Sequence, residues 1–236
     1  LLKDISLIHP NLVRYIYTKV RYFMRNFLSL LGKIFLFIVF IVLSQLPLLL
    51  IESHYSMGII APLVILCYLI LIGILLYIVK RVKGESPFKK ITGKNVRFIL
   101  AAYVVMILAK GILLTLMTKV YHQTTSANDK ALNALVTDRT AVLMTILVVV
   151  LVPITEELLY RGVFTSFFFK NQPFWQVAMS GVIFGLMHSS TNFISALVYV
   201  TMGWILAYVY VHTRNLSNSL TLHILNNAPF IAVLFN

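Results

Sequence analysis

Glu156-Glu157-Leu158-Leu159-Tyr160-Arg161 is the stretch on which the reading of this chain turns. An apolar run from Ala141 to Val152 leads into it, and another from Gly162 to Phe169 follows. A carboxylate at the centre of a bilayer costs roughly 2.5–3.5 kcal/mol on insertion scales, so two adjacent ones need a reason. Such groups are retained where they pair, face a wet cavity or do chemistry.

The rest of the chain says what surrounds that pair. Of 236 residues, 60% are hydrophobic and 11% charged, whereas a soluble domain averages about 25% charged. Repeated apolar runs near span length define an all-α, polytopic transmembrane bundle. A barrel does not fit unbroken runs, and a lone spanning segment must satisfy its own backbone as a helix. Seven spans are expected, near 34–51, 59–79, 98–117, 141–169, 173–188, 193–211 and 216–235. A basic interfacial helix after Pro10, or else a solvated basic tail, precedes them, and Thr118 to Thr140 reads as an outer loop. The first 26 residues are basic and aromatic with no small-residue cleavage site, so no cleavable signal peptide is expected.

The organisation is one membrane domain, 1–236. It comprises a basic N-terminus (1–33), three accessory spans (34–117) and a four-span catalytic core (141–236). With the N-terminus inside, 16 of the 20 Lys and Arg residues lie on the inner side. That bias places the N-terminus in the cytoplasm and accounts for the net charge of +13 without nucleic acid. The partners expected are the lipid bilayer and a membrane-embedded or lipid-associated peptide or protein. Lys110, within the third span, snorkels or faces the interior. The single cysteine, Cys67, excludes an intrachain disulfide or a cysteine zinc site.

Within the second-half spans the ionisable residues are Glu156, Glu157, Arg161, His188 and His223, with Asn226 and Asn227 beside the last. Glu156 lies 14 residues before Lys170 and His188 lies 15 after Pro173. Both are thus roughly 21–22 Å from one turn if the helices are continuous. His223 and Asn227 lie 8 and 12 residues past Asn215, so roughly 12–18 Å up from the same inner side. Glu157 and Arg161 are four residues apart and can pair on one helix face, leaving Glu156 about 100° away to face something else. Gly181 and Gly185 form a small-residue face for close helix approach. Pro153 frees backbone groups just before the Glu pair.

A carboxylate and a histidine can hold and deprotonate a water. A second histidine with an asparagine can donate hydrogen bonds to an oxyanion. Together they suit amide hydrolysis. A second reading makes Glu156, His188 and His223 zinc ligands, although the His-Glu-x-x-His helix of zinc proteases is absent. Serine or cysteine nucleophiles are disfavoured. Rival readings are a proton-coupled transporter, since intramembrane Glu and His also build relays, and an idle scaffold or immunity protein.

The ordered set Glu156-Glu157-x-x-x-Arg161, Phe184-x-x-x-His188 and His223-x-x-x-Asn227 resembles the three motifs of the CAAX-protease and bacteriocin-processing ("Abi") family of intramembrane proteases. The resemblance covers about residues 140–230. It implies that Glu156 and His188 activate the water and that His223 and Asn227 stabilise the oxyanion. Glu157, Arg161 and Phe184 support the site. The minimal loops are similar to bacterial members, which implies a bacterial cytoplasmic membrane and roles in bacteriocin immunity, peptide-signal maturation or membrane-protein processing. The family is labelled metalloprotease, yet its eukaryotic members look metal-independent, so the resemblance leaves zinc open.

Overall fold

The computed structural model describes residues 10–53 and 55–235. The residues before Pro10, Lys3 and His9 among them, and His54 lie outside the described residues. Every regular element described is helical, and the chain divides into two compact units, residues 1–40 and 41–236.

The first unit holds most of helix α1 (Pro10–Leu49). Proline suits a first helical position because its missing N–H has no intrahelical partner there. A helix begins at Pro10, where an interfacial one was expected. It is not a separate element, however, since no residue up to Leu49 interrupts the helical assignment.

The second unit contains α2 (Met57–Lys83), α3 (Gly93–Tyr121), α4 (Ala127–Ala134), α5 (Ala141–Phe168), α6 (Pro173–Leu186), α7 (Phe193–Thr213) and α8 (Leu216–Asn227). A 3₁₀ segment, Ala228–Phe235, follows. Among the described residues, five helices are long and apolar enough to cross a membrane: the Leu28–Leu49 part of α1, then α2, α3, α5 and α7. The other two of the seven expected spans are shorter. Helix α6 has 14 residues and α8 has 12, against the roughly 20 needed to span. Polar residues 188–192 stop α6, and Asn192 then caps α7 by accepting from Ser195 N at 2.8 Å. Pro229 cannot donate a backbone hydrogen bond, and α8 gives way to the 3₁₀ segment beside it. The expected outer loop also contains helix, because Ser126 Oγ accepts from Asp129 N at 3.0 Å and caps α4.

Helices α6 and α7 cross at glycines. A Cβ added to Gly181 would lie 2.7 Å from Trp204 N, and one on Gly185 would lie 2.7 Å from Val200 N. Gly203 returns the approach, its Cβ position being 2.8 Å from Gly181 Cα. Without a hydrophobic drive between helices in lipid, this close packing does much of the joining. Gly181→Ala is expected to lower stability by about 1–3 kcal/mol, because backbone rather than a flexible side chain must move. Thermal unfolding of the purified variant in detergent checks it, and an unchanged midpoint would refute the crossing.

Helix α5, which carries the Glu pair, is not uniform. Alpha turns at Ala141–Ile146, Val152–Glu156 and Thr165–Phe168 alternate with π turns at Leu147–Leu151 and Glu157–Phe164. Single π turns inside α-helices are often found at functional sites. Glu156 and Glu157 sit at one of these junctions.

Candidate functional site

Each element that carries a site residue is anchored nearby. Asn215 caps α8 by accepting from Ser217 N at 3.0 Å, and its Oδ1 also accepts from Lys89 N at 3.0 Å. The start of α8 is thereby tied to the loop after α2. Two turns further on, His223 is only 2% exposed.

Glu157 and Arg161 are fully buried and pair as expected, with Arg161 Nη1 3.1 Å from Glu157 Oε1. Arg161 Nη2 donates to Gly203 O at 2.9 Å, and its guanidinium lies 4.8 Å over the Phe184 ring. One side chain thus ties α5 to α6 and α7. Glu157 Oε1 also stands 3.1 Å from His223 Nδ1. The other ring nitrogen, Nε2, is 3.5 Å from Glu156 Oε2. His223 therefore bridges both carboxylates, a contact that spacing alone did not reveal.

Glu156 differs from its neighbour in keeping 17% of its side chain exposed. It faces a cavity of about 620 Å³ whose walls also include Tyr160, His188, Asn227 and Lys110. The four residues expected to act together do converge: Glu156, His188 and Asn227 line this cavity and His223 touches Glu156.

His188 lies just past the end of α6. Its Nδ1 is 2.7 Å from the Phe184 carbonyl. A carbonyl only accepts, so this bond places the hydrogen on Nδ1 and leaves Nε2 with a lone pair. The ring stacks on Tyr199 at 4.4 Å with planes 12° apart, and Phe184 packs against it at 4.5 Å. The Tyr199 hydroxyl donates to Asp129 Oδ1 at 3.0 Å and is 2.6 Å from Ser126 Oγ. Helix α4 thus supports His188 through Tyr199. Sequence reasoning passed over Tyr199, Ser126 and Asp129, since one tyrosine among 12 carries no mark of its position. Tyr199→Phe keeps the stacked ring and is expected to keep most of any activity, whereas Tyr199→Ala is expected to lose up to about 10²-fold through misplacement of His188. Turnover of the two purified variants checks this, and equal rates would sink it.

Asn227 has a partner with a physical cause. In the π turn, Val152 N–H reaches back to Leu147 O. The next donor in that register, for Val148 O, is Pro153, which has no N–H. Asn227 Nδ2 donates to Val148 O at 2.9 Å instead. One Nδ2 hydrogen remains, and Oδ1 accepts from Asn226 at 2.9 Å.

The zinc reading does not fit this geometry. Among the described residues no three His, Cys, Asp or Glu side chains are grouped to hold an ion. His223 Nδ1 faces Glu157 and His188 Nδ1 faces a carbonyl, so only their Nε2 atoms are open to an ion.

Fold and site together define an all-helical integral membrane protein in which two carboxylates, two imidazoles and a guanidinium converge beside one cavity. Residues 138–229 match the family model described as "Type II CAAX prenyl endopeptidase Rce1-like". A curated relative, named "Putative membrane peptidase YdiL", of Bacillus subtilis (strain 168), is 29% identical over 93 residues. That match covers 39% of this chain and 37% of the relative, so it spans little more than a third of the relative's length. No solved structure matches the chain. Residues 138–229, which hold all three motifs, are thus similar to the CAAX-protease and bacteriocin-processing family.

Proposed function

We propose that the chain is an intramembrane endopeptidase that hydrolyses a peptide bond in a membrane-embedded or lipid-associated peptide or protein. The observation that carries this reading is the partly exposed Glu156 sharing a cavity with the open Nε2 side of His188. Glu156 and His188 hold a water in the cavity and take its proton as it attacks the scissile carbonyl, and that proton is then given to the amine nitrogen as the C–N bond breaks. The remaining Asn227 amide hydrogen donates to the oxygen on which negative charge develops, as does His223 Nε2 when both ring nitrogens carry a hydrogen between the two carboxylates. Glu157 orients His223, Arg161 neutralises Glu157, and Phe184 packs beneath both histidines. Residues 141–236 form the core of the activity and 34–117 are accessory spans of the same membrane domain. The charge bias supports a cytoplasmic N-terminus in a bacterial cytoplasmic membrane. The α4 side of the cavity then lies toward the outer face. A role in bacteriocin immunity or in processing of peptide signals fits a host of this kind.

The test compares membranes carrying the wild-type chain with membranes carrying Glu156→Ala at equal abundance. Mass spectrometry of peptide termini is expected to find termini present only with the wild type, clustered in one membrane peptide or protein. Identical termini in the native host would favour the scaffold reading over proteolysis.

A further inference from the structure

A second cavity, of about 380 Å³, lies at the C-terminal end of α5, away from Glu156. Lys83, Lys170 and Arg214 all line it, from the end of α2, the turn before α6 and the end of α7. Among the described residues, the only carboxylate in its wall is Glu85. That group already has a cation, for Lys89 Nζ is 2.8 Å from Glu85 Oε1. The same hydrogen bond holds the Glu85 carboxyl below the usual carboxylate range.

Glu85 also attracts Lys83, but none of the three cations forms an ion pair among the described residues. Lys83 Nζ donates to the Tyr210 hydroxyl and sits 4.6 Å over that ring. Arg214 Nη1 donates to Gln176 Oε1 at 2.9 Å. Lys170 makes no ion pair among the described residues. Like charges brought into one cavity repel, and an anion between them removes that repulsion.

Arg214 adds a separate observation. It occupies the left-handed C-cap of α7 at φ 49°, a position where glycine is the usual residue and any side chain is strained. An arginine there bears that strain while its side chain extends along the cavity wall. All three cations also stand at or just beyond the ends of apolar helices, where a spanning helix would meet lipid headgroups. Basic pockets between spans on the cytoplasmic side are recognised binders of lipid headgroups.

We propose that this cavity binds a phosphate-bearing anion, held by Lys83, Lys170 and Arg214. Guanidinium and ammonium donors form short charge-assisted bonds to phosphate oxygens. The source is either the headgroup of an anionic lipid or free phosphate, and the experiment separates them.

Thermal unfolding of the purified full chain in detergent would be followed while phosphatidylglycerol, phosphatidylcholine or inorganic phosphate is added at matched ionic strength. Phosphatidylglycerol is expected to raise the midpoint where phosphatidylcholine does not. A comparable rise with inorganic phosphate would identify the phosphate alone as the ligand, and its absence would identify the lipid headgroup. K170Q/R214Q changes two exposed side chains and is expected to weaken the apparent affinity about tenfold. K94Q/R97Q removes the same charge from the first turn of α3, outside the cavity, and is expected to stay within about threefold of wild type. No midpoint rise with any anion, or equal losses in the two variants, would overturn the proposal.

Discussion

Glu156→Gln is expected to abolish peptide hydrolysis while leaving the protein folded. The substitution keeps the size and hydrogen-bonding atoms of the side chain and removes only its capacity to take a proton. General-base catalysis contributes on the order of 10²–10⁴ in rate, so kcat should fall by that factor with KM little changed. Because Glu156 keeps part of its side chain in the cavity and is not sealed like Glu157, the change should shift the unfolding midpoint little. His188→Ala is expected to lose a similar factor. If the two act on one water, the double variant should be no slower than the slower single, since groups acting as a unit are strongly non-additive. The measurement is turnover of the peptide identified by the terminal comparison above, with purified protein. Activity within about tenfold of wild type in Glu156→Gln would remove the proposed mechanism.

Arg161→Met is expected to cost stability rather than rate alone. Its guanidinium and the Glu157 carboxylate are both fully buried, and removing one member of such a pair strands the other's charge. The cost of that is about 3–5 kcal/mol. Arg161 also holds Gly203 O and packs on Phe184, so α7 and α6 lose a shared anchor. Arg161→Lys should recover only part of this, because an ammonium cannot reach Glu157 and Gly203 in the same planar fork. Glu157→Leu with Arg161→Met removes both charges and should recover much of the stability, as apolar replacement of a buried pair often does. Hydrolysis should not return with it, since His223 then lacks the carboxylate that faces its Nδ1. Unfolding midpoints and turnover on the same four proteins separate the effects. A double variant as unstable as Arg161→Met alone would show that the pair is not the source of the cost.

The seven residues singled out in the sequence lie close together in the fold, and the reason they could be singled out is local chemistry. A charge in an apolar run is costly wherever the run folds, so Glu156, Glu157, Arg161, His188 and His223 stand out from the sequence on that cost alone. Spacing along helices then set their depth, and Glu156 with His223 is the direct check, at 3.5 Å. Asn227 was found for a reason only half legible. Its position was marked by the motif, but its bond to Val148 O follows from a π turn and the missing N–H of Pro153.

What the residues by themselves determined is the helical membrane class, the order of the apolar segments and the identity of the charged groups that must be sheltered. These depend on transfer energies and on spacing within single helices, which travel with the sequence. What only the tertiary structure decided is of another kind. Helices α6 and α8 fall short of full spans, and α4 forms inside an expected loop. His223 bridges two carboxylates 66 and 67 positions away, and Tyr199 carries the support of His188 to α4. Two π turns in α5 shift the direction of every side chain beyond them, because each closes its hydrogen bond one residue later than an α turn does. Azimuths and crossings of that sort arise from how neighbouring helices approach, as at Gly181 and Gly203, and no single segment contains the atoms that set them.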